Sequence, residues 1–265
     1  MDSVEPFWLV DAFAEAPFEG NCAGVCVLRK GRDASWMQHV ANELNQAETA
    51  FLRPRRDKQW NLRWFTPTVE VDLCGHATLA AAHVLSVAGH VPWGEEIVFH
   101  TLSGKHKAWS EKKGATLDFP AEPPRSYRLP NAETLVHAKP TWIGKNRLDV
   151  LIQLESEDAV RRMDPDLPEI AKLDARGLIV TAKSSDPTID FVSRYFAPAC
   201  GVDEDQVTGS AHCALAPFWG ERLGRTELHG YQASRRGGLV KMRLEGPRVF
   251  LRGGVVVVAT GKLQT

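Results

Sequence analysis

Arg63, Trp64, Phe65, Thr66 and Pro67 return further along the chain as Arg194, Tyr195, Phe196, Ala197 and Pro198. Each copy runs on through a glycine turn into an alanine-rich, helix-like stretch. The copies are offset by 131 residues at this block (Arg63 against Arg194) and by 134 at the turn glycine (Gly75 against Gly209). The offset of 134 recurs at Gly104 against Gly238, so the second copy carries a three-residue insertion. A period this long does not suit a solenoid and predicts two similar domains, at residues 1–120 and 121–265. Facing halves would aim two helix N-termini into one cleft. Each would offer backbone N–H groups and a partial positive charge of about half an elementary unit, a way to hold a carboxylate without a metal.

A length of 265 residues gives two such domains ample chain for two cores. With 32 basic against 33 acidic residues the formal charge is -1, which supplies no basic field for nucleic acid or an anionic membrane. The start, Met1 to Glu5, is acidic and lacks the pattern of a signal peptide, and no apolar run approaches the roughly 18 residues of a membrane span. The expected location is therefore cytoplasmic. Five cysteines (Cys22, Cys26, Cys74, Cys200, Cys213) without a CxxC pair argue for reduced thiols. A Walker loop, GxGxxG, HExxH and GxSxG are all missing, which leaves acid and base chemistry on the chain's own side chains.

Strand patterns at 8–10, 23–28, 49–52, 61–65, 97–100, 105–110 and 116–119 surround one strongly apolar helix, Ala77 to Val87, in the first half. Asp33 or Ser35 can cap a helix with Trp36, Val40 and Leu44 on one face and Asn45 as its stop. Pro120 to Pro130 reads as a linker. The second half repeats the scheme with strands at 149–154, 177–181, 190–196, 239–244, 248–251 and 255–259, a polar helix capped by Ser156, and a helix from Ala211 to Glu221. Too few helices alternate with strands for a parallel sheet, so the fold class is α+β, each domain a mostly antiparallel sheet around a central helix. The last strand, Val255 to Ala259, either closes its own domain or crosses to the other.

Glu48 sits where a helix hands over to a strand, beside Ala47, Ala50 and Phe51; partial desolvation there would raise its pKa from about 4.3 toward a range useful for proton transfer. Otherwise it is an exposed strand-start glutamate. His76 follows the first turn glycine, where it could bind an anion, act as an acid, or simply cap the buried helix. Asp205, before the matching turn, could hold a substrate amine or the His76 ring, or belong to a solvated acidic loop with Asp203 and Glu204. Gly75, Gly209 and Ser210 offer donors to a carboxylate, a role that coexists with helix capping. A two-thiol racemase would need a partner for Cys74, and Thr208 stands at the matching turn. Cys74, His76, His212 and Cys213 have no metal-ligand spacing, so no metal is expected.

Gly20-Asn21, Asn45 to Thr49, Phe65 to Thr78 and Phe196 to His212 together resemble the phenazine-biosynthesis-like (PhzF-type) proteins, in that family's order along nearly the whole chain. The resemblance implies a diaminopimelate-epimerase-like fold, often a homodimer, and cofactor-free isomerisation of a small carboxylate-bearing substrate. Carried over by position, it implies Glu48 as general acid/base, His76 and Asp205 as assisting residues, and Asn21, Gly75, Thr208, Gly209 and Ser210 as substrate-binding. Two positions depart from the family pattern: Cys22 follows Asn21 where proline is usual, and Ala47 precedes Glu48 where serine is usual. The turn Cys74-Gly75-His76-Ala77 also differs from the Ala-Gly-His-Pro of the dedicated phenazine enzyme. Two other readings compete with the glutamate isomerase: racemisation at an α-carbon with Cys74 as base, and a retired enzyme fold kept as a binding scaffold.

Overall fold

The computed structural model describes residues 4–264; the acidic start at Met1 to Ser3 lies outside them. The chain divides into two compact units, one running to Phe119 and resuming at Arg252, the other Pro120–Leu251. The first contains β1 (Glu5–Ala12), β2 (Asn21–Val27), α1 (Ala34–Leu44), β3 (Glu48–Pro54), β4 (Trp60–Phe65), β5 (Glu70–Val71), α2 (Gly75–Val87), β6 (Glu96–Thr101), β7 (Gly104–Glu111) and β8 (Gly114–Pro120). The second contains β9 (Arg125–Ser126), α3 (Ala132–Val136), β10 (Trp142–Lys145), β11 (Asp149–Gln153), α4 (Glu157–Arg162), α5 (Leu167–Ile170), β12 (Gly177–Lys183), β13 (Phe191–Ala197), β14 (Val202–Asp205), α6 (Gly209–Leu223), β15 (Glu227–Gln232), β16 (Gly238–Glu245) and the start of β17 (Arg248–Leu263). Among the described residues no helix is long and apolar enough to cross a membrane.

In the first unit the pairings close on themselves: β1 to β2, β3, β4, β6, β7, β8, then β17 and back to β1. The β2–β3 and β4–β6 pairs of this barrel are parallel, whereas β1–β2, β3–β4, β6–β7, β7–β8 and β1–β17 are antiparallel. α2 runs inside it, and every residue from Gly75 to Ser86 is buried. Leu79, Val84 and Leu85 each contribute roughly 1.5–3 kcal/mol of burial there. On the outer face α1 lays Met37, Val40 and Ala41 against Cys26, Leu28, Phe51 and Phe65. Asp33 caps α1 by accepting from the Trp36 amide at 2.8 Å, and Asn45 ends it in the left-handed region with φ 47°. That abrupt stop delivers the chain to β3 with Glu48 as its first residue.

The second unit repeats the order of pairings. β2 parallel to β3, β3 antiparallel to β4, β4 parallel to β6 and β6 antiparallel to β7 become β11–β12, β12–β13, β13–β15 and β15–β16 with the same senses. α6 takes the place of α2, with ten of its residues buried, including the Trp219 ring stacked on Phe191 at 5.7 Å. α3, α4 and α5 add Leu135, Val160 and Ile170 to a core with Val180, Val192 and Phe196.

The repeated Arg–aromatic–Phe block has a physical basis in both units. Arg63 on β4 forks onto Glu70 of β5 (2.6 and 2.7 Å) and lies over the Phe65 ring; Arg194 on β13 forks onto Glu204 of β14 (2.7 and 3.0 Å) and lies over Phe196. Each bidentate pair fastens the short strand that leads into the central helix. The insertion falls between Arg194 and Glu204, where Pro198–Cys200 forms one turn of 3-10 helix.

Two expectations need correction. The proline-rich linker contains β9, which pairs with β10. The segments 248–251 and 255–259 are parts of one strand, β17, rather than two. Gly253 and Gly254, between the two segments, mark close packing: a Cβ on Gly253 would lie 2.3 Å from the Phe13 ring, and one on Gly254 2.3 Å from the Ala14 carbonyl oxygen.

Candidate active site

Three elements of the first unit bring Glu48, His76 and Asn21 together. Glu48 opens β3, Asn21 opens β2, which runs parallel to β3 and pairs Ala23 with Glu48, and His76 is the second residue of α2. Glu48 Oε2 lies 3.2 Å from His76 Nε2, and Asn21 Nδ2 lies 3.1 Å from His76 Nδ1. The His76 side chain is 4% exposed and that of Glu48 17%, so the carboxylate keeps a narrow access to solvent. With the Asn21 amide donating to Nδ1, the proton of the neutral ring resides on Nε2, the nitrogen nearer Glu48. The Nε2–Oε2 approach is within ion-pair distance although its angle falls outside hydrogen-bond geometry.

Cys74 is the N-cap of α2, 6% exposed, with Sγ 3.6 Å from His76 Nδ1. Thr78 Oγ1 donates to the Cys74 carbonyl at 2.5 Å; the Cys74 side chain makes no cap bond to the helix, whose first turn holds no acid. A helix end of this kind favours a bound anion. The donor atoms of Glu48, Cys74 and His76 lie within 4.8 Å of one another, a combination of ligand types suited to zinc. Glu48 approaches Nε2 while Cys74 and Asn21 approach Nδ1, so carboxylate, thiol and amide all contact the one imidazole.

The remaining site candidates gather in the second unit. Thr208 is the N-cap of α6, but its hydroxyl donates to Asp205 Oδ2 at 2.6 Å instead of capping the helix. Asp205 thus departs from the picture of a solvated acidic loop, as does Glu204, paired with Arg194. Gly209 opens α6, and the Ser210 hydroxyl accepts from Arg176 Nη2 at 2.8 Å. Sequence reasoning missed the supports of this group. Gln232, fully buried on β15, accepts from the Thr208 amide (2.9 Å) and donates to the Asp205 carbonyl (2.8 Å) and to Thr208 Oγ1 (3.2 Å). Arg176 forks onto Asp149 (3.1 and 2.7 Å), which also accepts from Tyr195 at 2.9 Å. Burial and the Asp149 charge push the Tyr195 phenol well above its ordinary range, so it stays protonated and donating. The one signal in the sequence was an acid, Asp149, heading the apolar run Val150 to Ile152.

A family model described as "phenazine biosynthesis-like protein" matches residues 10–261. The chain belongs to this family. A relative from Halalkalibacterium halodurans named an uncharacterized isomerase is 47% identical over 260 residues, spanning 97% of this chain and 98% of its own. The crystal structure of a PhzF-family phenazine biosynthesis protein from Enterococcus faecalis aligns with a TM-score of 0.94 at 39% identity, over 99% of this chain and 100% of that one. A predicted epimerase from Pseudomonas aeruginosa, 23% identical, shares the fold with a TM-score of 0.78 over 98% of this chain and 99% of that one. Within the phenazine biosynthesis-like family, this chain is an isomerase with the α+β, diaminopimelate-epimerase-like fold.

Proposed function

We propose that the chain moves a proton between carbon atoms of a small carboxylate-bearing substrate, with Glu48 as the single acid/base and no cofactor. The observation that carries this reading is the contact of Glu48 with His76 at the start of α2, 3.2 Å apart and largely shielded from water. Glu48 takes the proton from a carbon beside an electron-withdrawing group, and the resulting carboxylic acid returns it to another carbon on the same face. His76 orients the carboxylate through Nε2, and Asn21 orients His76 through Nδ1. The Gly75 end of α2 supplies donors to negative charge that builds on the substrate. In the second unit Gly209, Ser210 and Thr208 form a further carboxylate-holding end, with Asp205 fixing the Thr208 hydroxyl. That hydroxyl is committed as a donor and is no carbon base, which favours a one-base transfer over a two-base racemase.

The Sγ of Cys74, 3.6 Å from Nδ1, supports a second reading in which the thiol is the base for α-carbon epimerisation. Proton-exchange NMR in deuterated water, over a panel of small amino, hydroxy and cyclohexadiene carboxylic acids, separates the two. We expect label uptake by the wild type and by Cys74→Ala, and loss of at least about 100-fold in Glu48→Gln, the scale of a lost general acid/base. Full uptake by Glu48→Gln overturns the proposal, and loss confined to Cys74→Ala installs the thiol as base.

A further inference from the structure

The repeat gives the two central helices different partners at neighbouring places of the strand that follows. His76 and Ser210 are each the second residue of their helix, and each meets a residue at the head of the strand that runs parallel to its neighbour. In the first unit that residue is Glu48, first of β3; in the second it is Arg176, directly before Gly177, first of β12. By register Glu48 matches Gly177, since Thr49 pairs with Phe65 and Leu178 with Phe196, so the guanidinium enters one residue earlier than the acid, 2.8 Å from Ser210 against 3.2 Å for Glu48 from His76.

An arginine side chain carries only donors, so the Ser210 oxygen must accept from Arg176 and the hydroxyl's own proton must point elsewhere. The other hydroxyl of this turn, on Thr208, is spent on Asp205 and makes no cap bond to α6. Arg176 is itself held: it forks onto Asp149, which is 1% exposed, and lies over the Tyr195 ring at 5.6 Å, while Tyr195 binds the same carboxylate. We infer that Arg176 is a positioning residue, locked by Asp149 and Tyr195, that turns the Ser210 hydroxyl into an obligate donor and so makes the start of α6 bind carboxylate. The inference rests on the proposed carboxylate-holding role of Gly209 and Ser210 and adds the residues that enforce it.

Acetate serves as the probe, followed through the amide signals of Gly209 and Ser210 in two-dimensional NMR of the whole chain. The wild type is expected to show saturable shifts, and Arg176→Gln and Ser210→Ala each to weaken acetate by about tenfold, the worth of one charge-assisted hydrogen bond. Because Arg176 acts through Ser210, the double variant should bind no more weakly than either single one. If Arg176→Gln fails to fold, the same substitution with Asp149→Asn removes the uncompensated buried carboxylate and carries the same expectation. Unchanged acetate affinity in Arg176→Gln, or losses that multiply in the double variant, overturns the inference and leaves the carboxylate role standing. No acetate shift in the wild type removes the carboxylate role itself, and the inference with it.

Discussion

His212 ties the start of α6 to the acid sensitivity of the second unit. Its ring is fully buried, and its Nδ1 donates to the Thr208 carbonyl at 2.8 Å, as Thr78 does to Cys74 in the first copy. A carbonyl only accepts, so Nδ1 carries the proton of the neutral ring and Nε2 is left as a buried acceptor. Burial pushes the pKa down to about 4. In the unfolded chain the same histidine titrates near 6.5, so between these values the unfolded state binds the extra proton and stability falls as pH falls. Linkage gives a loss of about 2 kcal/mol between pH 7 and pH 5, and about 3 kcal/mol once the pH is below 4. Urea unfolding at pH 7 and pH 5 measures it, with His212→Asn as comparison because an asparagine amide can keep the bond to Thr208. The variant is expected to start less stable, from lost packing, but to lose about 2 kcal/mol less on acidification. His83 is also pushed down by burial, yet it is common to both proteins and cancels. Equal acid losses in wild type and variant refute the argument.

Two further outcomes follow from packing. The duplicated clamps should not be equal: the Arg194 side chain is 13% exposed and also donates to the Met163 carbonyl at 2.7 Å, whereas Arg63 is 33% exposed. In urea unfolding Arg194→Ala should cost about 2–3 kcal/mol and Arg63→Ala about 1 kcal/mol, and equal costs would contradict the assignment. Gly20 has φ 63°, and a Cβ there would sit 2.2 Å from the Ala12 carbonyl oxygen, one residue before Asn21. Gly20→Ala is therefore expected to cost about 1–3 kcal/mol and to reduce label uptake by displacing Asn21 from His76; unaltered uptake would show that Asn21 does not depend on this turn.

Much of the architecture was legible because it is local. The α1 cap, expected at Asp33 or Ser35 and found at Asp33, the Asn45 stop, the apolar α2 and the duplicated blocks depend on residues a few positions apart. β9 inside the proline-rich segment was not legible, since its two residues are a strand only by pairing with β10. Nor was the continuity of β17, because two adjacent glycines look alike whether they turn a chain or admit a close neighbour; only the presence of Phe13 and Ala14 decides.

The site divides the same way. Adjacent residues marked the side chains proposed for the chemistry: Glu48 after a helix stop, His76 at the head of a buried helix, Thr208 and Ser210 at the matching turn. Only the tertiary structure decided their partners. Parallel pairing of β2 with β3 sets Asn21 and Glu48 around His76, and Arg176, Asp149, Tyr195 and Gln232 reach the start of α6 from other strands and their approaches. Helix caps and periodicity act within a turn or two and are written in adjacent residues. A hydrogen bond across 34 positions, such as Arg176 to Ser210, exists only once sheet registers are fixed by burial of the whole core.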